Sequence, residues 1–346
     1  MARTTIKQVA QMAGVSPTAV SLAINGKPGI SEQTRARIIE IVKQMDFTPN
    51  ESSRRLLFNR TGNIAVLMDQ DSSLLDQSFY SELNTQLIRE CEDRHYNLIY
   101  CVSRMEADHT VTIPKVIRSR DVDGIIVLGY LDQQIISKIS SCDCPIIILD
   151  NYIPSSGVGH VVFDYQAASV MAMEYLISKG HRQIGYIGSD ISGGKIQFFS
   201  QQTFKGYRQV LEQYHLAIPA SWMQMSAQDE KTAGDSMDKI LQSDVFPTAV
   251  LCSGDIYAIG AMRSIKRHGL RIPDDISLIG IDDIILSRYV EPALSTIRVD
   301  RKNMAAMAVE ALVGWIEESK PEEQLVCAKL QMIERDSVKI LSLAGL

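Results

Sequence analysis

Apolar residues open the chain in three short runs at helical spacing. Ile6, Val9 and Ala10 form the first, behind Thr5, whose hydroxyl can cap a helix while Gln8 reaches back, and Gly14 supplies the left-handed residue that ends it. Ser16-Pro17 starts a second helix at once, Ser as cap and Pro in the first turn where its missing N–H is not needed. Val20 and Ile24 sit four apart and pack inward with Val15, which turns Pro17, Thr18, Ser21 and Leu22 to the opposite face. Asn25-Gly26 ends that helix, and Ser31 caps a third whose apolar side is Ile38, Ile39, Ile41 and Val42. Two helices across a tight Gly turn make a helix-turn-helix, and the second helix of such a unit lies in the major groove with its N-terminal residues on base edges. Thr5, Ser16, Asn25 and Ser31 frame that reading surface.

From Asn63 the pattern changes to apolar strands alternating with amphipathic helices. Strands are predicted at 64–67, 98–102, 124–128 and 145–149, with helices at 81–94, 113–118 and 134–140. A second series follows His160: helix 166–179, strand 184–187, helices 203–214 and 232–242, strand 249–252, helix 257–267 and strand 277–281. Continuous apolar strands between helices indicate parallel sheets covered on both faces. Two series predict an α/β chain with two doubly wound parallel-sheet lobes behind the helix-turn-helix headpiece.

Charge separates the two parts. Residues 1–60 carry nine Lys and Arg against four Asp and Glu, a net of +5, whereas the remainder carries 26 against 37, a net of −11. A basic headpiece on an acidic body favours a phosphate backbone at one end and disfavours a protein-docking role for the headpiece. The six cysteines are scattered; only Cys142 and Cys144 are close, at a spacing that matches no zinc pair, so all are expected as reduced thiols and no metal is expected. No signal peptide and no apolar run near 18 residues is visible, which predicts a cytoplasmic protein with no membrane association.

The whole chain resembles the LacI family, the lactose and galactose repressors. The residues that carry the resemblance are Thr5-Ile6-Lys7, Val9-Ala10, Ala13-Gly14-Val15-Ser16, Ala19-Val20-Ser21, Asn25-Gly26, Ser31, Thr34-Arg35 and Pro49-Asn50. In the body they are Val122-Asp123-Gly124-Ile125, Gly180-His181, Gly206-Tyr207-Arg208, Pro247-Thr248-Ala249 and Gly280-Ile281-Asp282-Asp283. The resemblance implies a homodimeric repressor of carbohydrate-utilisation genes, with lobes of periplasmic-binding-protein type, that binds double-stranded operator DNA under control of a small-molecule effector, with no cofactor and no catalysis. It implies a headpiece at 1–48 and a hinge at 49–61, with a hinge helix at about 51–57 that forms on DNA and enters the minor groove. Asn50 would cap that helix, Ser53 lie at its close interhelix contact and Leu56 act as the wedge; packing of Leu56 against the body is the alternative. The effector domain spans 62–346, with one lobe at 62–160 and 292–320 and the other at 161–291 and 321–340.

Ligands of open α/β sheets bind at the carboxyl ends of strands. There stand Asp69, Asp150, Asp164, Asp255 and Asp282, carboxylates suited to accept hydrogen bonds from a polyhydroxy ligand, with capping of local structure as the alternative. Asp282 matches the family's frequent sugar-hydroxyl acceptor; Asp255 matches another cleft position, although Gly254 replaces the asparagine that commonly precedes it. The arginine clamp of many members is Thr203 here, which favours a neutral ligand or another clamp among Lys195, Gln201 and Gln202. The loop 71–77 is longer than the common version, and Phe79-Tyr80 keeps the aromatic pair, for stacking on a sugar or for the core. Leu22 replaces a common arginine reader of guanine. Purine-type and phosphocarrier-dependent regulators are alternatives, as are a cleft enzyme using two of these acids and a sugar-binding protein without DNA work, which residues 1–58 oppose; Glu291 stands where the carrier-binding branch tends to be basic.

Overall fold

The computed structural model describes residues 4–24, 28–45, 47, 60–69, 78–106, 110–153, 157–189, 198–243, 245–317, 324–327 and 329–341. Asn25, the hinge residues Asn50, Ser53 and Leu56, the loop 71–77 and Lys195 lie outside them. The chain divides into two units, Met1–Gly62 and Asn63–Leu346.

In the first unit α1 (Ile6–Ala13), α2 (Pro17–Ile24) and α3 (Glu32–Gln44) enclose Val9, Ala10, Ala13, Val20, Ala23, Ile38 and Phe47. Local chemistry sets each boundary. Thr5 accepts from the Gln8 amide while Gln8 Oε1 accepts from the Thr5 amide at 2.8 Å. Gly14 turns at φ +63°, and its N–H closes on the carbonyls of Ala10 and Gln11. The Ser16 hydroxyl accepts from the Ala19 amide at 3.1 Å, and Ser31 accepts from Thr34. Arg35 of α3 donates to the carbonyls of Leu22 and Ala23 at 3.0 and 3.1 Å, capping the end of α2 with a cation where the helix dipole favours one.

The second unit holds two sheets. The first contains β1 (Asn63–Asp69), β2 (Asn97–Met105), β3 (Val111–Thr112), β4 (Gly124–Leu128), β5 (Ile146–Leu149), β6 (Gly159–Phe163) and, late in the chain, β12 (Gln324–Cys327), in the order β12-β6-β5-β4-β1-β2-β3. The second contains β7 (Ile184–Ile187), β8 (Met223–Gln224), β9 (Ala249–Cys252), β10 (Ser277–Asp282), β11 (Ser295–Val299) and β13 (Leu330–Ile333), in the order β13-β11-β10-β9-β7-β8. The pairs are parallel except β2 with β3 and β11 with β13.

Helices cover both faces, which is why the central strands are apolar throughout. Along β1, Ile64, Val66 and Met68 join the layer of α4 (Ser78–Asp93) and α11 (Arg301–Glu317), whereas Ala65 and Leu67 join that of α5 (Lys115–Arg118) and α6 (Gln133–Ser140). In the second sheet α7 (Tyr165–Ser178) and α8 (Phe198–Gln213) cover one face, and α9 (Glu230–Leu241) and α10 (Asp255–Arg267) the other.

Three of the predicted lobe boundaries are corrected. Gly159–Phe163 belongs wholly to the first sheet, so the first crossing falls after Phe163. Ser295–Val299 pairs with β10 in the second sheet, Ile279 opposite Ser295, and the return to the first lobe begins only with α11. Gln324–Cys327 then pairs with β6, and the last crossing precedes Leu330. Short apolar strands on either side of one helix look alike in sequence; pairing, which is a long-range property, decides their sheet.

Candidate effector cavity and DNA-reading helix

The cavity begins where the strands end. Asp150 follows β5, Tyr165 follows β6, Ser253 and Gly254 follow β9, and Asp282 closes β10; with Phe79 and Tyr80 from the start of α4 they line a space of about 460 Å³ between the two sheets. Phe199, Gln228, Asp229, Glu230, Tyr257, Ile284 and Leu286 complete much of its wall.

Asp150 is 5% exposed, and each of its carboxylate oxygens takes one phenol: Tyr165 donates to Oδ1 at 2.5 Å and Tyr80 to Oδ2 at 2.7 Å. Burial pushes its pKa up to about 6, against the pull of those two hydrogen bonds. With their protons committed to Asp150, both phenol oxygens can only accept from a ligand. Burial also drives the Asp282 carboxyl well above the usual range; the charge of Asp255 adds to this, and Arg301 opposes it.

The turn that aims Asp282 is built from three other groups. Asp255 is fully buried, and its carboxylate accepts from Ile284 N at 3.0 Å, Ser287 Oγ at 2.5 Å and Thr296 Oγ1 at 2.6 Å. Gly280 leaves room for it, since a Cβ there would meet Asp255 Oδ1 at 2.1 Å. Asp283 is the third group: burial disfavours its charge, but Arg335 and Arg298 outweigh that and hold the carboxyl below its ordinary value. The Gly-Ile-Asp-Asp sequence therefore encodes space, sheet, cavity acid and ion pair in succession.

Of the candidates, Phe79, Tyr80, Asp150 and Asp282 meet at this cavity. Four do not line it among the described residues. Asp255 is spent on the turn, as described. Asp164 caps α7 through the Ala167 amide at 2.9 Å, and its neighbour Tyr165 takes the cavity position. Thr203 is fully buried behind the wall, donating to Phe199 O at 2.9 Å and paired with the Tyr186 hydroxyl at 3.0 Å. Asp69 ends β1 half-buried, outside the lining. Phe79 and Tyr80 are core residues, set edge to face at 5.0 Å, and both also border the cavity. Tyr165, Phe199 and Tyr257 are lining residues that the sequence reading does not name; an aromatic residue in the first turn of a helix that follows a strand is the signal available for them.

In the headpiece Ser16, Pro17 and Thr18 are exposed on the leading turn of α2. Ser21 is half-buried, and so is Leu22, whose Cδ1 lies 3.2 Å from where a Cβ on Gly29 would stand. Leu22 thus shares its side chain between the exposed face of α2 and the turn beneath it. Among the described residues no helix is long and apolar enough to cross a membrane, and no cluster of His, Cys, Asp and Glu is placed to hold a metal.

Comparison with known proteins agrees with both halves of this architecture. Residues 5–50 match the bacterial regulatory proteins of the lacI family, and residues 173–338 match the periplasmic binding protein-like domain. The chain is 31% identical over 341 residues to the probable HTH-type transcriptional repressor ExuR of Bacillus subtilis, covering 98% of this chain and 99% of that protein. It is 30% identical over 340 residues to the HTH-type transcriptional repressor PurR of Vibrio cholerae, with coverage of 98% and 99%. Its fold is similar to the lac repressor dimer bound to operator and the anti-inducer ONPF, with a TM-score of 0.77 at 20% identity over 98% of this chain and all of that one. The transcriptional regulator CelR in complex with cellobiose gives a TM-score of 0.70 at 21% identity over 97% of this chain and all of that one. The chain belongs to the LacI family of bacterial transcriptional repressors.

Proposed function

We propose that this repressor binds its operator as a homodimer in the cytoplasm and that a neutral, hydroxyl-rich effector, a carbohydrate, sets its DNA affinity by occupying the cavity between the lobes. One observation carries the effector class. Carboxylates line the cavity from both lobes, Asp150 from the first and Asp229, Glu230 and Asp282 from the second, with no Lys or Arg among the described lining residues. Such a wall accepts hydrogen bonds and repels an anion, so sugar hydroxyls fit and sugar acids or phosphates do not. Aromatic rings beside them offer apolar faces to the C–H side of a sugar.

The ligand acts by preferring one lobe arrangement, a population shift, with no turnover of the bound sugar. A planar nucleobase is the second reading, favoured by the rings of Phe79, Tyr165, Phe199 and Tyr257 among the lining residues. A thermal-shift panel of cellobiose, neutral monosaccharides, sugar acids and nucleobases, followed by calorimetry, separates the readings, because a ligand of the folded state raises the melting temperature by mass action. Stabilisation by a neutral sugar is the expected result. Stabilisation by sugar acids or nucleobases alone overturns the carbohydrate assignment.

A further inference from the structure

Arg301 opens α11, immediately after the chain leaves the second sheet at Val299 and before it packs on the first. It is 9% exposed, and its guanidinium engages both lobes. Nε donates to Glu82 Oε2 of α4 at 2.9 Å, and Nη2 lies 2.6 Å from the same oxygen. Nη1 donates to the carbonyl of Asp282 at 2.5 Å, and Nη2 donates to that of Asp283 at 3.0 Å. The guanidinium carbon also stands 5.6 Å from the centroid of the Phe79 ring, which lines the cavity. One planar fork therefore spans a helix of the first lobe, the end of a strand of the second, and a ring between them.

The two carbonyls belong to an unusual backbone. Asp282 and Asp283 have φ of +119° and +53°, both in the region that residues with side chains seldom adopt, so the surrounding structure must over-determine the turn. Asp255 and the arginines on Asp283 hold it from within the second lobe. Arg301 holds it from across the crossing segment.

We propose that Arg301 is a positioning residue of the effector site, tying the turn that aims Asp282 into the cavity to helix α4 of the first lobe, so that interlobe angle and acid placement change together. This rests on reading the cavity as the effector site. A guanidinium suits the task because its donors are fixed in one plane; a lysine ammonium keeps the charge but cannot present that fork.

The test needs no ligand, so it stands apart from the sugar panel. Spin labels are placed on the full chain at Arg89→Cys of α4 and Asp235→Cys of α9, both exposed, in a background where Cys101, Cys142 and Cys144 are serine. Unlabelled protein in excess leaves one labelled chain per dimer, and double electron–electron resonance gives the distance between the lobes. The unaltered fork should give one narrow distribution. Arg301→Met should shift or broaden it beyond the width of that reference, Glu82→Gln should move it the same way, and Arg301→Lys should fall between. Distributions that superimpose on the reference for Arg301→Met and Glu82→Gln overturn the proposal, whatever the melting temperatures, because they leave the arginine a stability role only. If Arg301→Met does not fold, Glu82→Gln decides by the same criterion.

Discussion

Asp255 and Asp282 differ by one geometric fact, and replacing Asp255 with alanine shows it. Asp255 is fully buried and accepts from one backbone amide and two hydroxyls within 3.0 Å. Each buried donor left without an acceptor costs about 1–3 kcal/mol, but the Ser287 and Thr296 hydroxyls can rotate toward other oxygens while the Ile284 amide cannot. Removing the carboxylate also removes its burial penalty, which already pushes its pKa upward. The balance is a loss of about 3 kcal/mol, near the top of the ordinary range for one substitution. At about 2.1 cal/mol/K of unfolding entropy per residue, a unit of this size shifts by roughly 1.5–2 °C per kcal/mol, so Asp255→Ala should melt about 5 °C lower. Urea unfolding followed by circular dichroism at neutral pH gives the free energy directly. A variant within about 0.5 kcal/mol of the parent, the span of an ordinary surface substitution, that nonetheless loses its sugar response would refute the structural role and return Asp255 to the ligand's shell.

Other consequences are shorter. The folded state binds the Asp150 proton more tightly than the unfolded chain does, at about 6 against an ordinary 3.8, so this group's contribution makes the protein more stable as pH falls from 6 toward 4. Unfolding free energies measured across that window should show the trend in the parent and lose it in Asp150→Asn; an unchanged slope in the variant would assign it elsewhere. Substitutions at Thr18 and Ser21 should alter the preferred operator base by about 1–3 kcal/mol per true contact. An unchanged logo after binding-site selection would remove them from the readers. Leu56→Ala should weaken operator binding more than binding to random duplex, since a wedge acts only on the bent site; filter binding with equal losses on both would contradict it.

The headpiece was legible almost to the residue because its boundaries are local. Thr5, Gly14, Ser16 and Ser31 each act on backbone within a few positions, and short-range chemistry of that kind is written directly in sequence. The layers of the body were legible from the apolar strands. What could not be read was pairing: β11 and β12 carry similar apolar patterns and enter different sheets. The same limit governed the site. Five aspartates stand at or just past strand ends, but which of them faces the cavity depends on partners far along the chain, such as Thr296 for Asp255 and Tyr80 for Asp150. Arg301 was invisible for that reason, since its role exists only through Glu82, Asp282 and Asp283 together.

The central claim is that DNA is read by the headpiece and regulated from the cavity through Asp282. Its most direct test is operator affinity by fluorescence anisotropy, with and without the stabilising sugar, for the parent and Asp282→Ala. Loss of this buried acceptor, which leaves a ligand hydroxyl unpaired, costs on the order of 1–3 kcal/mol, roughly tenfold in sugar affinity. Asp282→Ala should keep parental operator affinity without sugar and the parental melting temperature, and its response should need about tenfold more sugar or be lost. An unchanged sugar response in a normally folded Asp282→Ala would contradict that claim.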